Sequence, residues 1–215
     1  MGDHVQQALA RVREMQQRVV ENQRFRGWSG RSRMCNGVCA LLVPAAMWWT
    51  SPPSAPLVHL RVWVGLCGLS VLVSGCALAY WFRRDPLVSG DWRKLRPLLF
   101  MLPPLLVGGI LTAAAVLHGA HDWLFGIWML HFGLANLAAR HVLPRTLAVV
   151  GAFYMFSGTV CLLFPPAFTN PWPMGLVFFV GELSAGLILH LDRHRGIGSS
   201  RVAAGRETAG DQTDD

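Results

Sequence analysis

The sequence predicts an all-α protein, a polytopic membrane bundle of six transmembrane helices preceded by an N-terminal cytoplasmic amphipathic helix. The first observation behind this prediction is composition. Hydrophobic residues make up 53% of the 215 positions and charged residues only 14%, whereas soluble domains carry about 25% charge. Such an apolar chain suits a bundle whose outer side chains face lipid.

The second observation is the distribution of the nineteen Lys and Arg residues. Seven precede residue 34, five lie at 83–96, two at 140–145 and four follow residue 192, so only Arg61 stands apart. Between these clusters the apolar stretches come in pairs, and the connections within the pairs, 51–56, 118–122 and 165–171, contain no Lys or Arg. Because basic loops stay on the cytoplasmic side, we expect a multi-pass inner (plasma) membrane protein with both termini in the cytoplasm.

Residues 1–33 are predicted to form a cytoplasmic amphipathic helix and a linker. Val5, Val12, Met15 and Val19 recur at steps of three, four and seven, the spacing of a heptad seam; we call these four residues the N-terminal stripe. Gly27 and Gly30 are expected to end the helix. Two heptads are too few for a stable coiled coil, so this segment is expected to dock on a protein partner or to self-associate through residues 1–26.

Six predicted spans follow within a transmembrane domain of residues 34–191. At about 1.5 Å per residue they are long enough for a hydrocarbon core of roughly 30 Å. The tail of residues 192–215 mixes Gly, Ser, Arg and Asp and is expected to be disordered. The spans are 34–50, 62–82, 97–117, 123–139, 146–164 and 174–191.

Two titratable residues lie near the middle of predicted spans. Glu182 is about eight residues into the sixth span and His131 eight residues into the fourth. Both spans enter from the outer side, so the two residues share a depth of roughly 12 Å. An ionised group at this depth needs a partner, and we predict a His131–Glu182 pair. This pair is either a structural hydrogen bond that fixes helix register or a proton-linked site.

Other polar residues have simpler interpretations. Asn136 is expected to bond to a neighbouring backbone or to cap a polar patch, and the guanidinium of Arg61 to extend to the membrane interface. His118, His121 and Asp122 have the spacing of an outward-facing metal site, but helix capping is the ordinary interpretation and no metal is predicted. The five cysteines are an odd number, so a complete disulfide framework is excluded.

Function is less determined than architecture. The sequence contains no Walker loop and no rhomboid-type Gly-x-Ser-Gly motif, and no cofactor is expected. The basic pI of about 9.9 comes from loops beside apolar spans, so contact with anionic lipid explains it and nucleic acid is not expected as a partner. The lipid bilayer is the partner that the composition implies.

Short patches of the chain carry a resemblance. The run Arg24-Phe25 followed by Ser29-Gly30, which leads into the first span, and Met174-Gly175 followed by Phe178 in the sixth resemble an uncharacterised group of small polytopic bacterial inner-membrane proteins. The resemblance implies a bacterial inner membrane and supplies no activity.

Three functions remain open on the sequence. The leading hypothesis is a non-enzymatic scaffold or regulatory membrane component that acts through its cytoplasmic segments. The first alternative is a small proton-coupled transporter or channel that uses Glu182 and His131. The second alternative is a membrane-embedded hydrolase.

Overall fold

The computed structural model describes residue 6 and residues 29–50, 55–84, 96–140 and 144–210. All regular structure in this part of the chain is helical, so the all-α class is confirmed. The N-terminal stripe lies outside the described residues. Six long helices follow one another: α1 (Gly30–Thr50), α2 (Pro56–Arg84), α3 (Leu102–Leu117), α4 (Leu124–Ala138), α5 (Leu147–Leu163) and α6 (Trp172–Gly210).

Each predicted span falls on one of these helices, with differences at the ends. A single helical turn, Arg96–Leu99, precedes α3 and is separate from it. Pro103 and Pro104 have no amide hydrogen to donate to the carbonyl oxygens one turn earlier, so the two helical segments do not join. A 3-10 turn at His121–Trp123 leads into α4. Two helices are long and apolar enough to cross a membrane, α2 and the Trp172–Asp192 part of α6, while the apolar helices α3 and α5 are shorter.

The last helix differs from the expected end of the chain. α6 continues to Gly210, so the backbone of residues 192–210 is helical where the sequence predicts a disordered tail. The physical reason is that elongating an existing helix needs no new nucleus. Residues 192–210 also contain no proline to stop it.

Two antiparallel helix pairs, α1/α6 and α4/α5, make the most extensive contacts. Glycines let the backbones approach closely in both. A Cβ atom on Gly30 would lie 2.5 Å from the Gly186 carbonyl oxygen, and one on Gly133 would lie 2.7 Å from the Gly151 carbonyl oxygen. Helix α5 also packs on α6, which joins the two pairs into one core.

The other two helices lie at the periphery. Helix α3 packs on α4, and α2 has limited contact with α1, including a hydrogen bond from Asn36 Nδ2 to Ser74 Oγ at 3.1 Å. The most apolar 18-residue window of α2 is only 6% buried. Exposed apolar side chains therefore cover much of the outer surface of α2 and α3.

Candidate functional site

A buried ion pair joins the first and last helices. Arg33 and Glu182 each retain about 5% of their surface. Arg33 Nη2 donates to Glu182 Oε1 at 2.6 Å, and Arg33 Nε donates to Glu182 Oε2 at 2.9 Å. This two-pronged geometry matches the planar guanidinium to both carboxylate oxygens, and such pairs are stronger than a single hydrogen bond.

Helices α4 and α5 complete this site. Asn136 Oδ1 of α4 accepts from Arg33 Nη1 at 3.2 Å, and Tyr154 Oη of α5 donates to Glu182 Oε1 at 3.2 Å. The Phe132 ring lies 5.9 Å from the Arg33 guanidinium carbon. We call Arg33, Asn136, Tyr154 and Glu182 the polar cluster. One residue from each of the four core helices therefore meets at a single point.

Small residues make room for the polar cluster. A Cβ atom on Gly37 would lie 3.1 Å from the Glu182 Cβ and 3.2 Å from the Phe179 carbonyl oxygen, and one on Gly181 would overlap the Tyr154 ring. Aromatic rings then enclose it, because Tyr154 packs against Phe132 and Phe178 with ring centroids 5.0 Å away in each case. This packing keeps water away from the two charges, so their lost hydration must be replaced by the close ion pair and the hydrogen bonds with Asn136 and Tyr154.

The structure corrects the predicted His131–Glu182 pair. Glu182 hydrogen-bonds Arg33 and Tyr154, whereas the His131 Nδ1 atom lies 2.7 Å from the Ile127 carbonyl oxygen, one turn back in its own helix. His131 instead packs against Gly108 of α3. The physical reason is direction around the helix. His131 lies five residues from Asn136, so the two side chains point about 140° apart, and Asn136 is the one that faces the polar cluster.

Arg33 is the residue of the polar cluster that charge counting misses. The sequence places it in the N-terminal basic cluster and starts the first span at Met34, but α1 begins at Gly30 and buries Arg33. The signal was present as spacing. On the helix face that includes Arg33, small residues and a proline recur at steps of three, four and seven, namely Gly30, Gly37, Ala40 and Pro44. The arginine therefore lies on the small-residue face of α1.

Arg61 and Asp122 lie apart from the polar cluster. Arg61 is exposed on α2. The Asn136 amide, besides accepting from Arg33, donates to the Phe132 carbonyl oxygen at 2.8 Å. Asp122 Oδ1 accepts from the Phe168 backbone amide at 2.7 Å, which ties the α3–α4 connection to the α5–α6 connection. Among the described residues no group of three or more His, Cys, Asp and Glu side chains could hold a metal ion.

Comparisons with protein-family models, curated proteins and solved structures find no match for this chain. The functional argument therefore rests on the geometry of the polar cluster and on the surface of the bundle.

Proposed function

We propose that this chain is a six-span protein of the bacterial inner membrane with both termini in the cytoplasm. In this proposal it is a non-enzymatic scaffold that holds its two terminal segments side by side. The observation that carries the proposal is the Arg33–Glu182 ion pair, because it joins the first turn of α1 to the middle of the Trp172–Asp192 part of α6 and so fixes the first helix against the last.

The surface supports placement in a membrane. Exposed arginines lie where helices end or begin, with Arg83 and Arg84 at the end of α2, Arg140 after α4 and Arg145 before α5. At the far end of α1, Trp48 and Trp49 are 73% and 89% exposed. Clustered arginines are typical of the cytoplasmic boundary of a membrane bundle, and exposed tryptophans are typical of either membrane interface.

The polar cluster supports a structural role for the buried charges. Removing a lone arginine or glutamate from water is unfavourable, so each charge here depends on the other for its place in the bundle. The transporter alternative was based on a His131–Glu182 pair, and the carboxylate is instead held by Arg33 and Tyr154. A scaffold uses such a pair to fix two helices in register.

Reporter fusions test the membrane arrangement. Fusions after Ser89, Pro144 and Gly205 should report cytoplasm, and fusions at Ser54, Gly119 and Asn170 should report the outer side. An outer-side signal at Ser89 would contradict the six-span arrangement.

Scaffolding needs a separate measurement. Deleting residues 2–22 should leave membrane insertion unchanged and should abolish in-cell crosslinking of the chain to its cytoplasmic partner. The control is the single substitution Gln6→Ala, which lies outside the N-terminal stripe and should leave crosslinking unchanged. Unchanged crosslinking after the deletion would contradict a scaffold that acts through its N-terminal segment.

A further inference from the structure

We infer that Arg33 is a latch between α1 and α6 with two positions. In the closed position, which the structure shows, its guanidinium is turned toward the middle of the bundle and binds Glu182. In the open position, taken when no carboxylate faces it, the guanidinium lies at the cytoplasmic boundary and the contact between the two helices is loosened there. This inference rests on the membrane placement proposed above, because an arginine turns to such a boundary only when lipid surrounds the bundle.

The glycine contacts give the level of Arg33 along α6. A Cβ atom on Gly37 would lie 3.1 Å from the Glu182 Cβ, and one on Gly186 would lie 3.0 Å from the Met34 backbone nitrogen. Residue 37 of α1 is therefore level with about residue 182 of α6, and residue 34 with about residue 186. The backbone of Arg33 accordingly lies one helical turn, about 5 Å, closer to the cytoplasmic end of the bundle than the backbone of Glu182.

The Arg33 side chain runs away from the cytoplasmic end to reach its partner. Side chains in an α-helix tilt toward the N-terminus of their own helix, which for α1 is the cytoplasmic end. By the same rule the Glu182 side chain tilts toward the N-terminus of α6, which is the outer end, so its carboxylate lies deeper still. The guanidinium therefore makes its contacts of 2.6 and 2.9 Å by turning opposite to the tilt of its own helix.

A second resting place for the guanidinium lies on the cytoplasmic side. A long basic side chain near the end of a span normally extends to the membrane boundary and keeps its charge in water. The apolar part of α6 ends at Asp192, about 10 Å beyond the level of Arg33, and an extended arginine covers most of this distance. Ser29 and Ser32, at the start of α1, are only partly buried and provide polar groups on this side. Without a carboxylate, the charge of Arg33 is drawn to this boundary.

Opening the latch loosens the helix contact beside it. The turn of α1 that carries Arg33 also makes a very close approach to α6, because a Cβ atom on Gly186 would lie only 2.6 Å from the Gly30 carbonyl oxygen. Arg33 itself retains about 5% of its surface there. A guanidinium that moves to the boundary with its water needs space that this contact does not leave. The first turn of α1 therefore separates from α6 when the latch opens.

Cysteine labelling of the full-length chain tests the latch. Met34→Cys is the probe, because residue 34 lies at the α1/α6 contact beside Arg33. Cys161 of α5, which is 8% exposed, is kept to monitor the folded bundle. The other four cysteines are replaced by alanine, namely Cys35, Cys39, Cys67 and Cys76.

The test variant is Glu182→Gln, which removes the charge and nearly keeps the shape of the side chain. Inverted membrane vesicles present the cytoplasmic face to a membrane-impermeant maleimide. Glu182→Gln should raise the labelling rate at residue 34 roughly tenfold, since labelling follows the population of the locally open state, while Cys161 stays protected. The matched control combines Glu182→Gln with Arg33→Met, an apolar side chain of similar length. It has no charge to draw to the boundary, so its labelling should return to the rate of the parent chain.

Three results would overturn the inference. An unchanged rate in Glu182→Gln would show that the guanidinium stays in place without the carboxylate charge. An equal rise in the single and double variants would assign the opening to lost packing and not to the arginine. Labelling of Cys161 together with residue 34 would show a general loosening of the bundle. The reporter fusions described above decide the membrane arrangement independently, so cytoplasmic signals at Ser89 and Gly205 would leave the proposed function standing in each case.

Discussion

The helix pairs α1/α6 and α4/α5 are alike in backbone construction and differ in what lies between the helices. Both are antiparallel, and both use glycines seven residues apart, Gly30 and Gly37 in α1 and Gly126 and Gly133 in α4. The α1/α6 pair contains the buried Arg33–Glu182 ion pair, whereas the contacts described for α4/α5 are made by glycines and apolar side chains. Helix α1 is 21 residues long, yet it is not among the helices that are apolar enough to cross a membrane alone.

This difference separates two functions of a helix contact. Close approach at glycine gives α4 and α5 van der Waals contact, the attraction that associates helices where the surroundings are as apolar as the side chains. The same kind of contact in α1/α6 is combined with two buried charges. Because either charge would be unfavourable without the other, the ion pair selects one register and one partner helix. The comparison predicts that charge changes affect α1/α6 and that size changes affect both pairs.

The largest effect is expected from removing one charge of the pair. Glu182→Leu leaves Arg33 buried without its carboxylate, which should lower the free energy of unfolding by about 3–5 kcal/mol. Arg33→Leu should have a similar effect. The double variant should lose much less than the sum, because it contains no unpaired buried charge. Unfolding in mixed detergent micelles measures all three, and strict additivity would contradict a directly coupled pair.

The next effect concerns the shared glycine construction. Gly37→Val and Gly133→Val should each destabilise the bundle by about 1–3 kcal/mol, because the added atoms force the backbones apart. Gly68→Val on α2 is the matched control, since nothing lies within 4 Å of a Cβ atom at that position. Thermal unfolding of the purified variants checks the order. A control as unstable as the other two would mean that helix propensity, not packing, governs the effect.

A smaller effect is expected where the two pairs meet. Tyr154→Phe removes the hydrogen bond to Glu182 and keeps the ring packing, so the loss should be about 1.5 kcal/mol, the lower end for a bond to a charged group. The chain's other tyrosine, Tyr80, is 63% exposed, and Tyr80→Phe should change unfolding by less. Equal losses for the two variants would argue against a contribution from the Tyr154 hydroxyl.

The smallest effect is the coupling energy between His131 and Glu182, which should be near zero. His131 and Glu182 share no hydrogen-bonding partner among the described residues. The double variant His131→Leu with Glu182→Leu should therefore equal the sum of the singles within about 0.5 kcal/mol. A coupling comparable with that of Arg33 and Glu182 would restore the pair predicted from depth.

The sequence was sufficient for the helices and insufficient for the contacts between them. Apolar length and Lys/Arg clusters located six helices, since both properties are local. The need of Glu182 for a partner was also evident, because a buried carboxylate is unfavourable anywhere in a bundle. The identity of that partner was not evident, since a residue's depth along a helix does not determine the direction in which its side chain points. Arg33 was missed because charge counting treats every arginine near a span as exposed.

The Arg33–Glu182 pair also has a consequence for the order of synthesis. The two residues are separated by 149 positions in the chain. At about 5–20 residues per second, Arg33 leaves the ribosome roughly 7–30 s before Glu182 does. During that interval the first helix has no counter-charge, and the bundle cannot close until the last helix has been made. A chain that stops before residue 182 would therefore contain Arg33 without the carboxylate that pairs with it in the complete bundle.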